Sequence, residues 1–127
     1  MNVNTPIVWF EIYVDDMNRA SKFYETVLGT KLERLMSPTS DEIEMKSFSG
    51  DMNTYGASGA LVKMEGMKAG GNSTVVYFGS KDCNIEEQRI EKAGGKILNP
   101  KMSIGKHGFI TMFMDTEGNM IGLHSME

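Results

Sequence analysis

The sequence predicts an α+β fold of two β-α-β-β-β modules, eight strands in all, and three observations predict it. A stretch of about twenty residues recurs in altered form 66 positions later: Trp9-Phe-Glu-Ile-Tyr-Val-Asp-Asp16, with its run to Leu28-Gly29, matches Val75-Val-Tyr-Phe-Gly-Ser-Lys-Asp82, with its run to Gly94-Gly95. The tails of the two halves correspond as well, Gly59-Ala-Leu61 with Ile121-Gly-Leu123 at an offset of 62. Each half also has the same order of signals: an apolar strand, an acidic turn, a helix-like run closed by glycine, and three further strand-like runs. The chain, 127 residues long, is therefore one domain over 1–127, with module one at about 6–68 and module two at about 73–127.

Residues 8–14 are apolar and aromatic, with β-forming side chains. Asp15-Asp16 follow, and a carboxylate there can accept from the first free N–H groups of a helix. In that helix Ala20, Phe23, Tyr24, Val27 and Leu28 repeat at helical spacing and make one apolar face. Gly29 can adopt the left-handed conformation that ends it. Residues 31–36, 43–49 and 59–64 read as strands. In the second half 74–79 reads as a strand and 84–93 as a helix with Ile85, Ile90 and Ala93 inward. Gly94-Gly95 stop that helix, and 96–98, 109–114 and 120–125 supply three more strands. The polar stretch 99–108, with Pro100, Gly105 and Gly108, reads as a long connection. Asp115-Thr-Glu-Gly-Asn119 reads as a hairpin turn in which Gly118 and Asn119 supply positive φ.

Composition excludes several classes of function. A formal charge of -4, with no basic run or Arg cluster, argues against nucleic acid. The longest apolar run, residues 7–10, is far short of the roughly 20 residues that cross a bilayer, and the start of the chain lacks a basic secretion signal, so a cytoplasmic protein is expected. Cys83 is the only cysteine, which rules out an internal disulfide and a Cys-based zinc site; it reads as a buried or helix-start thiol. The 12 methionines read as filler for irregular gaps, with an adaptable binding surface as the alternative.

The run from Trp9 to Tyr24 through Leu28-Gly29, taken with Ala93-Gly-Gly-Lys-Ile97 and Asp115-Thr-Glu-Gly-Asn119, resembles the vicinal oxygen chelate superfamily of glyoxalase I, bleomycin-resistance and fosfomycin-resistance proteins and extradiol dioxygenases. Thr116 stands where the family usually has Pro. The resemblance implies a cup that takes a small organic molecule, commonly in a homodimer with the pocket near the two-fold interface. In metal-dependent members, side chains at four positions hold one divalent ion that polarises vicinal oxygens of the substrate. Those positions fall here on Trp9, Ala60, Val75 and Gly122, none of which can ligate a metal, so no metal and no cofactor is expected.

Because strand side chains alternate, the inward faces carry Trp9, Glu11 and Tyr13 in module one and Tyr77 and His124 in module two. Glu11 between Phe10 and Ile12 is a candidate general base, with Tyr77 and His124 as further candidate catalytic groups. Its structural alternative is a satisfied buried carboxylate paired with Tyr or Arg at the module interface. Trp9, Tyr13 and Phe78 are candidate ligand-binding residues. Two functions follow: a metal-free lyase or isomerase abstracting a proton beside a carbonyl, or a protein that sequesters a drug or metabolite without chemistry. His107 reads as a solvated loop residue, with a lid over the cup mouth as its alternative.

Overall fold

A computed structural model of the chain describes residues 6–36, 42–50 and 55–127. Module one runs β1 (Trp9–Tyr13), α1 (Met17–Leu28), β2 (Glu33–Leu35), β3 (Glu44–Ser47) and β4 (Ser58–Lys63). Module two runs β5 (Val76–Gly79), α2 (Cys83–Ile90), β6 (Lys96–Ser103), a 3-10 turn (Gly105–His107), β7 (Phe109–Met114) and β8 (Met120–Ser125). Each module forms one four-stranded mixed sheet, ordered β1-β4-β3-β2 and β5-β8-β7-β6. This is the cup-type architecture of paired β-α-β-β-β modules.

The internal repeat is visible in the strand register. In the parallel pair β1–β4, Phe10, Glu11 and Ile12 lie beside Gly59, Ala60 and Leu61. In β5–β8, the equivalent Val76, Tyr77 and Phe78 lie beside Ile121, Gly122 and Leu123. The hydrogen bond from Val14 N to Val62 O likewise recurs as Ser80 N to His124 O.

Both helices start on the expected aspartates. Asp16 accepts from the Arg19 amide and Asp82 from the Asn84 amide, each at 3.0 Å, which satisfies one of the donors a helix start leaves free. Helix α1 ends on Gly29 at φ 68°. Its face of Ala20, Phe23, Tyr24 and Val27 is buried in a core that also holds Ile12, Leu61, Ile90, Phe113, Ile121 and Leu123, so one core spans both modules. Rings make the join: Phe10 meets Phe78 edge-on at 5.8 Å, Phe48 lies 5.3 Å from Phe78, and Phe23 lies 6.0 Å from Phe113.

Several boundaries differ from the sequence reading. Helix α2 stops at Ile90 and Ile85 is exposed rather than inward. Five residues at about 100° each turn Ile85 some 140° away from Ile90, off the buried face. Strand β6 continues through Pro100 to Ser103, so only its far end belongs to a connection. Pro100 is tolerated because β6 is the edge strand and its register against β7 shifts on either side of Asn99. In the β7–β8 turn only Gly118 has positive φ, at 82°; Asn119 does not.

That turn also fastens the modules together. Asp115 accepts from the amides of Glu117 and Asn119 on one oxygen and from the Tyr24 hydroxyl, at 2.6 Å, on the other. Asn119 donates to the Tyr13 carbonyl oxygen. The segment between the modules is clipped down too. Ala69 N donates to Asp15 and Gly70 N to Asn119, while Asn72 pairs with both the amide and the carbonyl of Met120, as a neighbouring strand would. Among the described residues no helix is long and apolar enough to cross a membrane.

Candidate functional site

Residues directly paired across a sheet share a face. The helix side of β1 and β5 takes Phe10, Ile12 and Phe78 into the core. The opposite face of module one carries Trp9, Glu11 and Tyr13 beside Ser58, Ala60 and Val62. The opposite face of module two carries Tyr77 and Gly79 beside Gly122 and His124, with Ile110, Met112 and Met114 on β7 and Met120 on β8 completing it. These faces are only partly covered in the single chain: Trp9 is 42% and Tyr77 49% exposed, while Ala60 and Val62 are buried in a second small cluster with Met45. A separate cavity of about 520 Å³ lies at the end of α1, lined by Lys22, Glu25 and Lys31 among others, and contains none of the candidate residues.

On module one the alternation brings three candidates into one unit. The Trp9 indole Nε1–H donates to one Glu11 oxygen at 3.2 Å and the Tyr13 hydroxyl donates to the other at 3.1 Å. Partial burial and then the neighbouring Glu11 carboxylate raise the Tyr13 phenol above its ordinary value, which keeps it a donor. Glu11 itself is exposed, so the single chain lacks the apolar burial on which a buried-base reading depends. The interface carboxylate foreseen as Glu11's structural alternative exists at another position, Glu117. Its side chain is fully buried and accepts from the Asp15 and Asp16 amides, each at 2.9 Å, and from Arg19 at 2.7 and 2.9 Å. Burial alone would raise the Glu117 carboxyl, but Arg19, the Asp16 amide, the Thr116 hydroxyl and the Asp15 amide together hold it down at about 2.

On module two, Tyr77 lies across Gly122. A Cβ built at Gly122 would fall 2.4 Å from Tyr77 Cδ2, so the ring fills the space a larger residue would need. His124 is half-buried, and its Nε2 is 2.7 Å from the His107 carbonyl oxygen. A carbonyl oxygen can only accept, so Nε2 carries a proton and the neutral ring keeps its lone pair on Nδ1. The His107 side chain is exposed; its backbone is what touches the candidate site.

Phe78 is corrected by this geometry. It lies on the core side against Phe10, Tyr24 and Phe48, because strand alternation that puts Tyr77 on the open face puts its neighbour on the other. The metal positions do not fit a divalent ion. The Trp9 nitrogen is a donor already used on Glu11, Ala60, Val75 and Gly122 offer no donor atom, and Tyr77 covers Gly122. Among the described residues no group of three His, Cys, Asp or Glu side chains converges elsewhere. The feature sequence reasoning missed was Glu117, whose signal was its place two residues after Asp115 in the interface turn.

Residues 6–123 match the model described as the Glyoxalase/Bleomycin resistance protein/Dioxygenase superfamily. A glyoxylase-like domain-containing protein of Didymella fabae is 29% identical over 120 residues, covering 94% of this chain and 92% of that protein. Glyoxalase I from Zea mays superposes with a TM-score of 0.71 at 26% identity, covering 94% of this chain and 46% of that one. The chain thus spans about half the length of the maize enzyme. The trypanothione-dependent glyoxalase I of Leishmania major superposes with a TM-score of 0.70 at 20% identity, covering 97% and 88% of the two chains.

Proposed function

The chain belongs to the Glyoxalase/Bleomycin resistance protein/Dioxygenase superfamily, and from that premise we propose that it binds a small organic molecule in its cup without the family's divalent metal. The observation that carries this reading is the donor set. Four positions that would have to ligate hold Trp9, Ala60, Val75 and Gly122, and the Tyr77 ring occupies the space over the last of them. Binding then rests on shape, stacking on Trp9 and Tyr77, and hydrogen bonds to Glu11, Tyr13 and His124.

The site is completed in a homodimer on this reading. The helix-side faces of both sheets are consumed by the shared core. A ligand seated on the open face of one module therefore gains its second wall from a partner copy, which would also cover the apolar face of Ile110, Met112, Met114 and Met120. Light scattering should give about twice the 14.1 kDa chain mass. Ligand identification by mass spectrometry of the purified protein, with elemental analysis beside it, tests the reading directly. Finding about one Zn, Ni, Fe or Mn per chain would overturn the metal-free site, and a monomer at micromolar concentration would overturn the shared one.

A second reading, metal-free lyase or isomerase chemistry, is favoured by the His124 geometry. An imidazole whose Nε2–H is pinned to a carbonyl presents Nδ1 as a proton acceptor. Glu11 would serve as the base in the same chemistry, abstracting a proton beside a carbonyl. Turnover that survives Glu11→Gln would remove Glu11 from that role, and survival in His124→Gln would remove His124. Without turnover in either parent or variant, the protein sequesters its ligand.

A further inference from the structure

We propose that the open face of β1 recognises a protonated amine carried on an apolar body, an assignment that rests on the cup reading above and names its ligand class. The argument starts from what surrounds Glu11. Both of its oxygens are held, one by the Trp9 indole and one by the Tyr13 hydroxyl, and both of these donors are neutral. Glu117 and Asp82 take cations, Arg19 and Lys101, each at 2.7 Å, while Asp115, Glu25 and Glu87 are held by neutral donors as Glu11 is; Glu11 differs from Asp115 in being exposed. Among the described residues no Lys, Arg or His pairs with Glu11. Its charge is fixed in orientation and left without a counterion.

A carboxylate accepts at about four lone-pair sites, so the two bound donors leave room for two more. An ammonium group fills them with charge-assisted hydrogen bonds, which are roughly twice as strong as neutral ones. Ala60, opposite Glu11 on β4, is buried among Met45 and Val62, so a ligand reaches Glu11 from its exposed side and not over Ala60. The part-exposed Trp9 ring lies beside the same carboxylate, where an aromatic face stabilises a cation and packs against the carbon next to it. In the dimer proposed above the apolar remainder of the ligand would meet module two of the partner copy. A carboxylate ligand would instead be repelled by Glu11 and by the net charge of -4.

Three probes of similar shape separate these terms: phenylbutylamine, phenylbutanol and phenylbutyrate, titrated at neutral pH and low salt. Trp9 is the only tryptophan, so its fluorescence reports on the site itself, and calorimetry gives the affinities independently. The amine should bind about tenfold tighter than the alcohol, with the acid weakest, and added salt should shrink the preference. Glu11→Gln keeps the shape and both neutral donors' neighbour, and should bring amine and alcohol within about twofold of each other. Equal binding of amine and alcohol to the parent protein, or a preference that survives in Glu11→Gln, overturns the amine assignment and leaves the cup reading standing. If none of the three probes binds, the amine assignment is overturned as well, and the cup reading is decided by the mass-spectrometric test above.

Discussion

Module one and module two share a backbone register, yet the bulk on their paired inner strands is redistributed. Phe10 lies beside Gly59 in the first module where Val76 lies beside Ile121 in the second, and Glu11 beside Ala60 where Tyr77 lies beside Gly122. In three of these pairs a large side chain on the first strand is matched by a small one on the closing strand, and only Val76 and Ile121 divide the space more evenly. The second module thus moves bulk onto the closing strand at the core-side position, while at the open-face position both modules keep it on the first strand. The chemistry on the open faces diverged further. One presents a carboxylate clamped by two aromatic donors, the other a phenol over glycine, a pinned imidazole and a row of methionines.

The modules differ most in what fastens them together, because the β7–β8 turn carries Glu117 into the first turn of α1. Replacing Glu117 by Ala should cost about 3 kcal/mol in urea unfolding, since it strips two helix-start amides and Arg19 of a charged acceptor. Its pH signature follows from the carboxyl at about 2, against an ordinary 4.5. The contribution is full above about pH 4.5 and drains away as the pH falls towards 2, so Glu117→Gln should flatten that limb of the stability curve. An unchanged limb would assign acid sensitivity elsewhere.

The pairing of large with small is tested at its glycines. A Cβ at Gly59 would sit 2.3 Å from the Phe10 carbonyl oxygen, backbone that cannot step aside, so Gly59→Ala should destabilise by about 1–3 kcal/mol. At Gly122 the obstacle is the exposed Tyr77 ring, which can swing. Gly122→Ala should therefore cost under about 1 kcal/mol while altering ligand affinity through the displaced ring. Equal losses at the two glycines would break the comparison. Between these lie the helix caps: Asp16→Ala and Asp82→Ala should each cost about 1 kcal/mol.

Much of this organisation was legible in the sequence because it is written in local signals. The cap aspartates, the helical spacing from Ala20 to Val27 and the Gly29 stop specify α1 without reference to the rest of the chain. Alternation alone placed Trp9, Glu11 and Tyr13 on one face. It was set aside for Phe78, whose position beside Tyr77 already assigned it to the core. Pro100 concealed the length of β6 because a proline's effect depends on whether its strand is at an edge, a property of the assembled sheet. Glu117 was hidden for a similar reason: its partners are about 100 residues away in sequence and meet it only when the modules dock.

The clipped segment between the modules bears on how such a protein can assemble. The Asn72 side-chain amide bonds both the carbonyl and the amide of Met120, and Gly70 is tied to Asn119 in the same turn that grips α1. Trading second modules between two copies would require peeling this tether from β8 and breaking the grip on α1 together, so the barrier to exchange is cooperative rather than that of a loose hinge. A chain held this way keeps its own two halves, and the dimer proposed above would form through surfaces already made.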